Sequence, residues 1–232
     1  MALRTLFVGD IHGCAEEFTQ ILEEMSFEAG ADRLLLTGDA FSRGPNPAEV
    51  WSTIREARAE MVLGNHDDRL VRILRLHLGG QSGQITKPHH REAVSGVQSV
   101  AQELLEWLEA APLRIDDEGF LLVHAGINPE TGLSGTTHEE FLTIRTWPPN
   151  GTTVGPRWHD HYSEDGKLLI FGHDAPGGLV VKRKPDGGPH LIGLDSGCVY
   201  GSMLSAYILE EDRIVQVPSR QPALFRDTND QR

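Results

Sequence analysis

The 232-residue sequence predicts an α/β fold in which two stacked β-sheets are flanked by helices. Three observations lead there. Short apolar runs recur and break off at Gly or Ala beside a polar residue, helix-like stretches separate the first three runs, and the later half, Ile115 to Val217, is rich in strand and turn signals.

The runs are Leu6-Phe7-Val8 before Gly9-Asp10, Leu34-Leu35-Leu36 before Gly38-Asp39, Met61-Val62-Leu63 before Gly64-Asn65-His66, Leu121-Leu122-Val123 before His124, and Leu168-Leu169-Ile170-Phe171 before Gly172-His173. Each reads as a buried strand, being short and apolar throughout. Glu16 to Met25 carries apolar residues at 18, 21, 22 and 25, and Pro47 to Ala59 has proline at its start, so both read as helices, as do Asp68 to Leu78 and Val94 to Leu108. In sheets built this way ligands collect at the carboxyl ends of strands, so the five strand ends point at one place. Asp165-Gly166 and Asp186-Gly187-Gly188 are hairpin signals that place a second sheet in the later half. Without a repeat or linker, one domain is expected over 1–220, followed by a polar tail over 221–232.

Composition narrows the function. A net charge of −13, from 34 acids against 21 bases, argues against duplex nucleic acid or an anionic membrane as partner. An anionic substrate must then be attracted locally, by bound cations or a few arginines. No apolar stretch approaches the ~18 residues of a membrane span and the N-terminus lacks a signal-peptide layout, so a cytoplasmic location is expected. Cys14 and Cys198, too few for a disulfide framework, read as free thiols.

In Gly9-Asp10-Ile11-His12-Gly13 a carboxylate and an imidazole stand two residues apart at a strand end, so extended backbone aims both the same way. Gly38-Asp39 adds a second strand-end carboxylate, with Arg43 four residues on; Asn65 and His66 follow the third run, and His124 and His173 the last two. Any one of these is as well explained by a capped turn or a buried histidine. Together they form a set of oxygen and nitrogen donors without thiolate, which suits a pair of Mn, Fe, Zn or Co ions sharing one carboxylate. Such a pair activates water against phosphate esters or anhydrides.

These motifs, Gly-Asp-x-His-Gly, Gly-Asp-x-x-x-Arg-Gly, Gly-Asn-His-Asp, His-Ala-Gly and a late Gly-His, resemble in kind and order those of the calcineurin-like metallophosphoesterases of the serine/threonine phosphatase type. The bacterial symmetrical diadenosine tetraphosphatases belong to that group. The resemblance implies mixed sheets and a dimetal site with Mn as the best guess. It makes Asp10 and His12 ligands of the first ion, Asp39 the bridge, and Asn65, His124 and His173 ligands of the second. His66 becomes the general acid, and Arg43 and Arg145 the phosphate-binding arginines. Protein phosphatases of this group carry an Asp where this chain has Ser42, and the tetraphosphatases a neutral residue, so a dinucleoside polyphosphate is the expected substrate. A serine/threonine protein phosphatase is the alternative and a non-catalytic metal scaffold the second. Gly193 to Gly201, with the later Val217-Pro218-Ser219-Arg220, is also similar to the carboxyl-terminal part of the tetraphosphatase branch.

No Walker loop, dinucleotide fingerprint or serine elbow is present, and Gln20 and Leu204 stand where a cysteine phosphatase needs arginine. Between Asn128 and Gly166, Trp147, Trp158, His159, His161 and Tyr162 could stack a purine or pin a long loop to the core; both readings are open.

Overall fold

The computed structural model describes residues 4–163 and 166–223. Its strands are β1 (Thr5–Val8), β2 (Arg33–Leu36), β3 (Glu60–Met61), β4 (Arg114–Asp116), β5 (Phe120–Val123), β6 (Leu168–Phe171), β7 (Val180–Arg183), β8 (Pro189–Gly193), β9 (Met203–Ile208) and β10 (Arg213–Pro218). Its helices are α1 (Ala15–Glu24), α2 (Pro47–Ala57), α3 (Asn65–Leu78), α4 (Pro88–Val97), α5 (Ala101–Glu109), α6 (Gly132–Gly135) and α7 (His138–Thr143). The strands form two mixed sheets, ordered β10-β9-β1-β2-β3 and β4-β5-β6-β8-β7. In the first, β1, β2 and β3 run parallel with β9 antiparallel beside β1; in the second, β5, β6 and β8 run parallel between antiparallel β4 and β7.

Alternation along the strands explains why the runs are apolar at every position. Leu6 and Val8 of β1 and Leu34 and Leu36 of β2 face the helices, whereas Phe7 and Leu35 face the other sheet. From that sheet Phe120, Leu122, Leu168 and Ile170 meet them, while Leu121, Val123, Leu169 and Phe171 turn outward to Phe141 and Trp158. Both faces of both sheets are therefore covered, which holds the strand ends in fixed relation.

Three boundaries differ from expectation. The third strand stops at Met61, because Leu63 N turns from β2 to donate to Pro112 O at 2.8 Å. Helix α3 begins at Asn65 rather than Asp68, where Asp67 carries the cap by accepting from Gly64 N. The helix expected over 94–108 starts earlier, at Pro88, and is broken by a 3-10 turn over Gln98–Val100. Val97 and Val100 take φ of −117° and −125° there, so α4 packs against α3 and reaches α2 while α5 lies along α3.

The Asp186-Gly187-Gly188 signal closes the β7–β8 hairpin, with Lys184 N donating to Gly188 O at 2.8 Å. The Asp165 signal and residues 224–232 lie outside the described residues. The start of the expected tail is held: Gln221 Nε2 donates to Glu17 Oε1 of α1 at 3.2 Å, next to Arg220 N, which donates to the same oxygen at 2.7 Å. Among the described residues no helix is long and apolar enough to cross a membrane.

Candidate active site

The turns after β1, β2, β5 and β6 and the first residue of α3 bring Asp10, His12, Asp39, Asn65, His124 and His173 together. Asp10, His12 and Asp39 form one buried group whose ligand atoms lie within 4.8 Å of one another, and Asp39, His124 and His173 form another. Asp39 belongs to both. Its Oδ2 stands 3.7 Å from His12 Nε2 and 3.6 Å from His124 Nε2, and Asn65 Oδ1 is 3.1 Å from both His124 Nε2 and His173 Nδ1.

The backbone is bent hard to achieve this. His12, Asp39, Arg43 and His173 have φ of 47°, 54°, 71° and 69°, the left-handed region that residues with a Cβ avoid. Such conformations cost about 1–3 kcal/mol each and cluster at functional sites. Close approach adds to it: a Cβ on Gly64 would stand 2.2 Å from Asp39 Oδ1.

The donors are arranged for cations. His124 Nδ1 donates to Thr37 O at 2.8 Å, which leaves its Nε2 lone pair facing Asp39 and Asn65. His173 Nε2 is buried without a hydrogen-bond partner. Burial pushes His12 down to about 3 and His124 down to about 4, and carries His173 well below its usual range, so all three imidazoles stay neutral and able to ligate. The carboxylates are strained oppositely. Burial, with the charges of Asp195 and Asp39, raises Asp10 well above the carboxylate range, and burial pushes Asp39 and Asp195 up to about 7. Buried lone pairs and mutually repelling acids are what divalent ions would relieve, so the residues fit the implied metal pair.

Around this centre, Arg43 is exposed, donates from Nη2 to His66 Nε2 at 3.2 Å and lies 5.5 Å from the Tyr200 ring. Burial, then the charges of His12 and Arg43, pushes His66 down to about 2. Arg145 donates from Nη2 to His173 O at 3.1 Å. All nine predicted residues thus meet in one place.

Sequence reasoning missed the residues that hold these in position. Thr37, fully buried, donates from Oγ1 to Asp10 at 2.9 Å while its carbonyl accepts the hydrogen bond from His124 Nδ1, so it spans the two sheets. Its only signal is its place in the turn before Gly38. Asp67 accepts from the backbone of Asp39 at 2.6 Å and of Ala40 at 3.2 Å, and Asp68 pairs with Arg72. Ser42 Oγ lies 3.1 Å from His12 Nδ1 and so serves a predicted ligand, not His66. Of the aromatic residues in the 128–166 connection, Trp158 is buried in the core behind Phe171 and Tyr162 stacks on His190 at 5.1 Å, so these rings pin the loop. Cys14 and Cys198 are buried free thiols; they lie with Glu17 in a third all-buried group, but the Glu17 carboxylate already accepts from Arg220 N and Gln221 Nε2.

Comparison with known proteins places this site in context. The calcineurin-like phosphoesterase family matches residues 3–212. A Chromobacterium violaceum protein named bis(5'-nucleosyl)-tetraphosphatase, symmetrical, is 32% identical, the alignment covering 91% of this chain and 94% of that one. Its 272 aligned positions exceed the 232 residues here, so the relative carries segments that this chain lacks. A crystal structure of a candidate diadenosine tetraphosphatase superposes with a TM-score of 0.77 at 29% identity, covering 94% of this chain and 95% of that one. A protein serine/threonine phosphatase from Saccharomyces cerevisiae shares the fold, with a TM-score of 0.58 at 16% identity over 97% of this chain and 82% of its own. With the family's pattern running through nearly the whole length and its strand-end residues gathered around one shared carboxylate, this chain belongs to the calcineurin-like phosphoesterases.

Proposed function

We propose that the chain hydrolyses dinucleoside polyphosphates, cutting diadenosine tetraphosphate between its central phosphates to leave two molecules of ADP. The observation that carries this is Asp39, one buried carboxylate common to two ligand groups. Asp10, His12 and Asp39 would hold one divalent ion, and Asp39, Asn65, His124 and His173 a second, with Mn the first choice. Bound there, such a pair supplies an activated water and electrostatic stabilisation of the phosphoryl oxygens.

The rest falls to the chain's own side chains. Arg43, exposed beside His66, would meet the incoming phosphate, and Arg145 would meet it from the second sheet. His66 would donate the proton that the departing oxygen takes. With its pKa held down to about 2 by burial and by neighbouring His12 and Arg43, and with Ser42 and Asp67 engaged elsewhere, His66 is a weak fit to an alkoxide leaving group. A nucleoside diphosphate leaves readily and asks less of the acid, and the substrate's negative charge would raise the imidazole's pKa on binding. The name carried by the Chromobacterium violaceum relative supports the same substrate.

Incubation of the Mn-loaded protein with diadenosine tetraphosphate, followed by chromatography, tests the proposal. ADP alone is expected. ATP plus AMP would sink symmetrical cleavage, and much faster release of phosphate from phosphopeptides would move the assignment to protein phosphatase. In the same assay His66→Asn should keep both ions yet lose about 10²–10⁴-fold in turnover. Loss of the ions would make His66 a ligand instead.

A further inference from the structure

We infer that Arg157 is a positioning residue for phosphate binding: it takes up the charge of Asp174 and thereby leaves Arg145 free to meet a phosphoryl group. This rests on the role proposed above for Arg145. It adds a residue to which neither the sequence motifs nor the expected ligand set gave any part.

Asp174 follows His173 directly, and its side chain, 6% exposed, lies between two guanidinium groups. The two contacts are unequal. Arg157 Nε stands 3.1 Å from Oδ2, within hydrogen-bond reach, whereas Arg145 Nε stands 3.8 Å from Oδ1, beyond it. Arg145 Nε and Asp174 Oδ1 are accordingly both buried without a hydrogen-bond partner.

The arrangement is built from the backbone outward. The segments carrying the two arginines pair as a short antiparallel ribbon: Thr146 bridges Arg157, Trp147 N donates to Pro156 O at 2.9 Å, and Trp158 N donates to Arg145 O at 3.1 Å. Arg157 is fixed further by Nη1, which donates to Thr153 O at 2.8 Å. Asp174 is locked in a tight turn by its own N–H to Gly172 O, 2.8 Å, and by Gly177 N to its carbonyl, 2.7 Å. The three charged groups therefore come from rigid backbone, and their geometry is set before any ligand arrives.

Within this trio two cations face one anion; the other acids whose charge reaches Arg145, namely Asp195, Asp39 and Asp10, belong to the centre where the divalent ions would bind. Because Arg157 makes the close contact, the trio's surplus positive charge resides on Arg145, whose Nη2 already touches the carbonyl of the ligand His173. Without Arg157, the buried Asp174 carboxylate has only Arg145 to pair with. A buried unpaired carboxylate is strongly disfavoured, so the 3.8 Å gap would close and the Arg145 guanidinium would be drawn off the phosphate and neutralised.

The measurement is calorimetric titration of inorganic phosphate into the Mn-loaded protein, which needs no turnover. It is accompanied by metal analysis and by KM and kcat on an aryl phosphate. Arg157→Met should weaken phosphate binding roughly 10–100-fold, the value of a charge-assisted hydrogen bond, and raise KM far more than it lowers kcat with both ions retained. Adding Asp174→Asn to that variant removes the competing carboxylate and should restore phosphate affinity to within about threefold of the parent, a rescue that a merely structural role would not give. If Arg157→Met fails to fold, Arg157→Lys and Asp174→Asn alone carry the test, and each should bind phosphate within about threefold of the parent. Parental affinity in Arg157→Met, no recovery in the double variant, or a tenfold loss in Asp174→Asn would each overturn the inference. Failure to cut diadenosine tetraphosphate symmetrically would sink the proposed substrate while leaving these phosphate affinities to be judged separately.

Discussion

The first sheet contributes Asp10, His12 and Asp39 from the opening residues of the β1–α1 and β2–α2 connections, six and ten residues long, and Asn65 and His66 from the first two positions of α3, whereas the second contributes His124 and His173 from single positions and Arg145 from the much longer connection between α7 and β6. A short turn fixes where its side chains go, so a ligand and its spacing appear together in the local sequence. In a long connection the position of a side chain depends on what the loop packs against, and in this chain that is the ribbon joining Arg145 to Arg157 and the Trp158 anchor in the core. Thr37 and Asp39 are where the two halves meet, since each interacts with residues of both sheets.

The largest effect expected from this contrast is at the shared carboxylate. Asp39→Asn should lose both ions and all measurable turnover, while His173→Ala, which alters only the second sheet's side, should keep one ion per chain. Elemental analysis of the two purified variants decides it, and two ions retained in Asp39→Asn would end the division of the site into halves joined by that residue.

A smaller effect should cross from one sheet to the other. Gly172 belongs to the second sheet's turn, yet a Cβ there would stand 2.0 Å from Asp10 Oδ1 and 2.6 Å from Thr37 Oγ1. Gly172→Ala should therefore displace the first sheet's carboxylate and lower metal affinity about 10–100-fold, as disturbed support of ligands does elsewhere. Unchanged affinity in a metal titration would show that the sheets tolerate independent movement.

The mildest test uses pH. Burial raises Asp39 and Asp195 to about 7, so between about 4 and 7 the folded metal-free chain binds protons that the unfolded chain releases. The contribution of these acids to the stability of the metal-free protein should then fall as pH rises through that window, while below about 6.5 the buried imidazoles of His12, His66 and His124, whose pKa values are lowered, pull the other way. Ions replace those protons, so the rise in Tm on adding Mn should be larger at pH 8 than at pH 5. Equal increments at the two values would mean that the acids carry no such strain.

The strands that carry the site and the residues gathered at their ends were legible because both depend on local pattern: apolar runs that break off at Gly or Ala beside a polar residue mark the ends of β1, β2, β5 and β6. Less was visible where tertiary contact decides. Leu63 N leaves the sheet for Pro112 O, a partner no periodicity announces, and Val97 and Val100 interrupt a helix whose apolar spacing continues across the break. Asp67 reads as a spare acid beside His66, but its carboxylate faces the backbone of the Asp39 turn. Asp174 and Arg157, seventeen residues apart in a region without a motif, become a pair only when the ribbon folds back.

The left-handed backbone at His12, Asp39, Arg43 and His173 bears on how such a protein would decay. Glycine adopts that conformation without the Cβ penalty, so at each of these positions the change that most relaxes the fold also removes a predicted ligand or phosphate contact. Stability and hydrolysis thus pull in opposite directions at the same four residues. In a gene copy released from selection for activity, glycine would be tolerated there early, while Phe7, Leu35 and Leu122 between the sheets would still be held by the need to fold. Loss of function in this architecture begins at its most strained turns and leaves a sound scaffold behind.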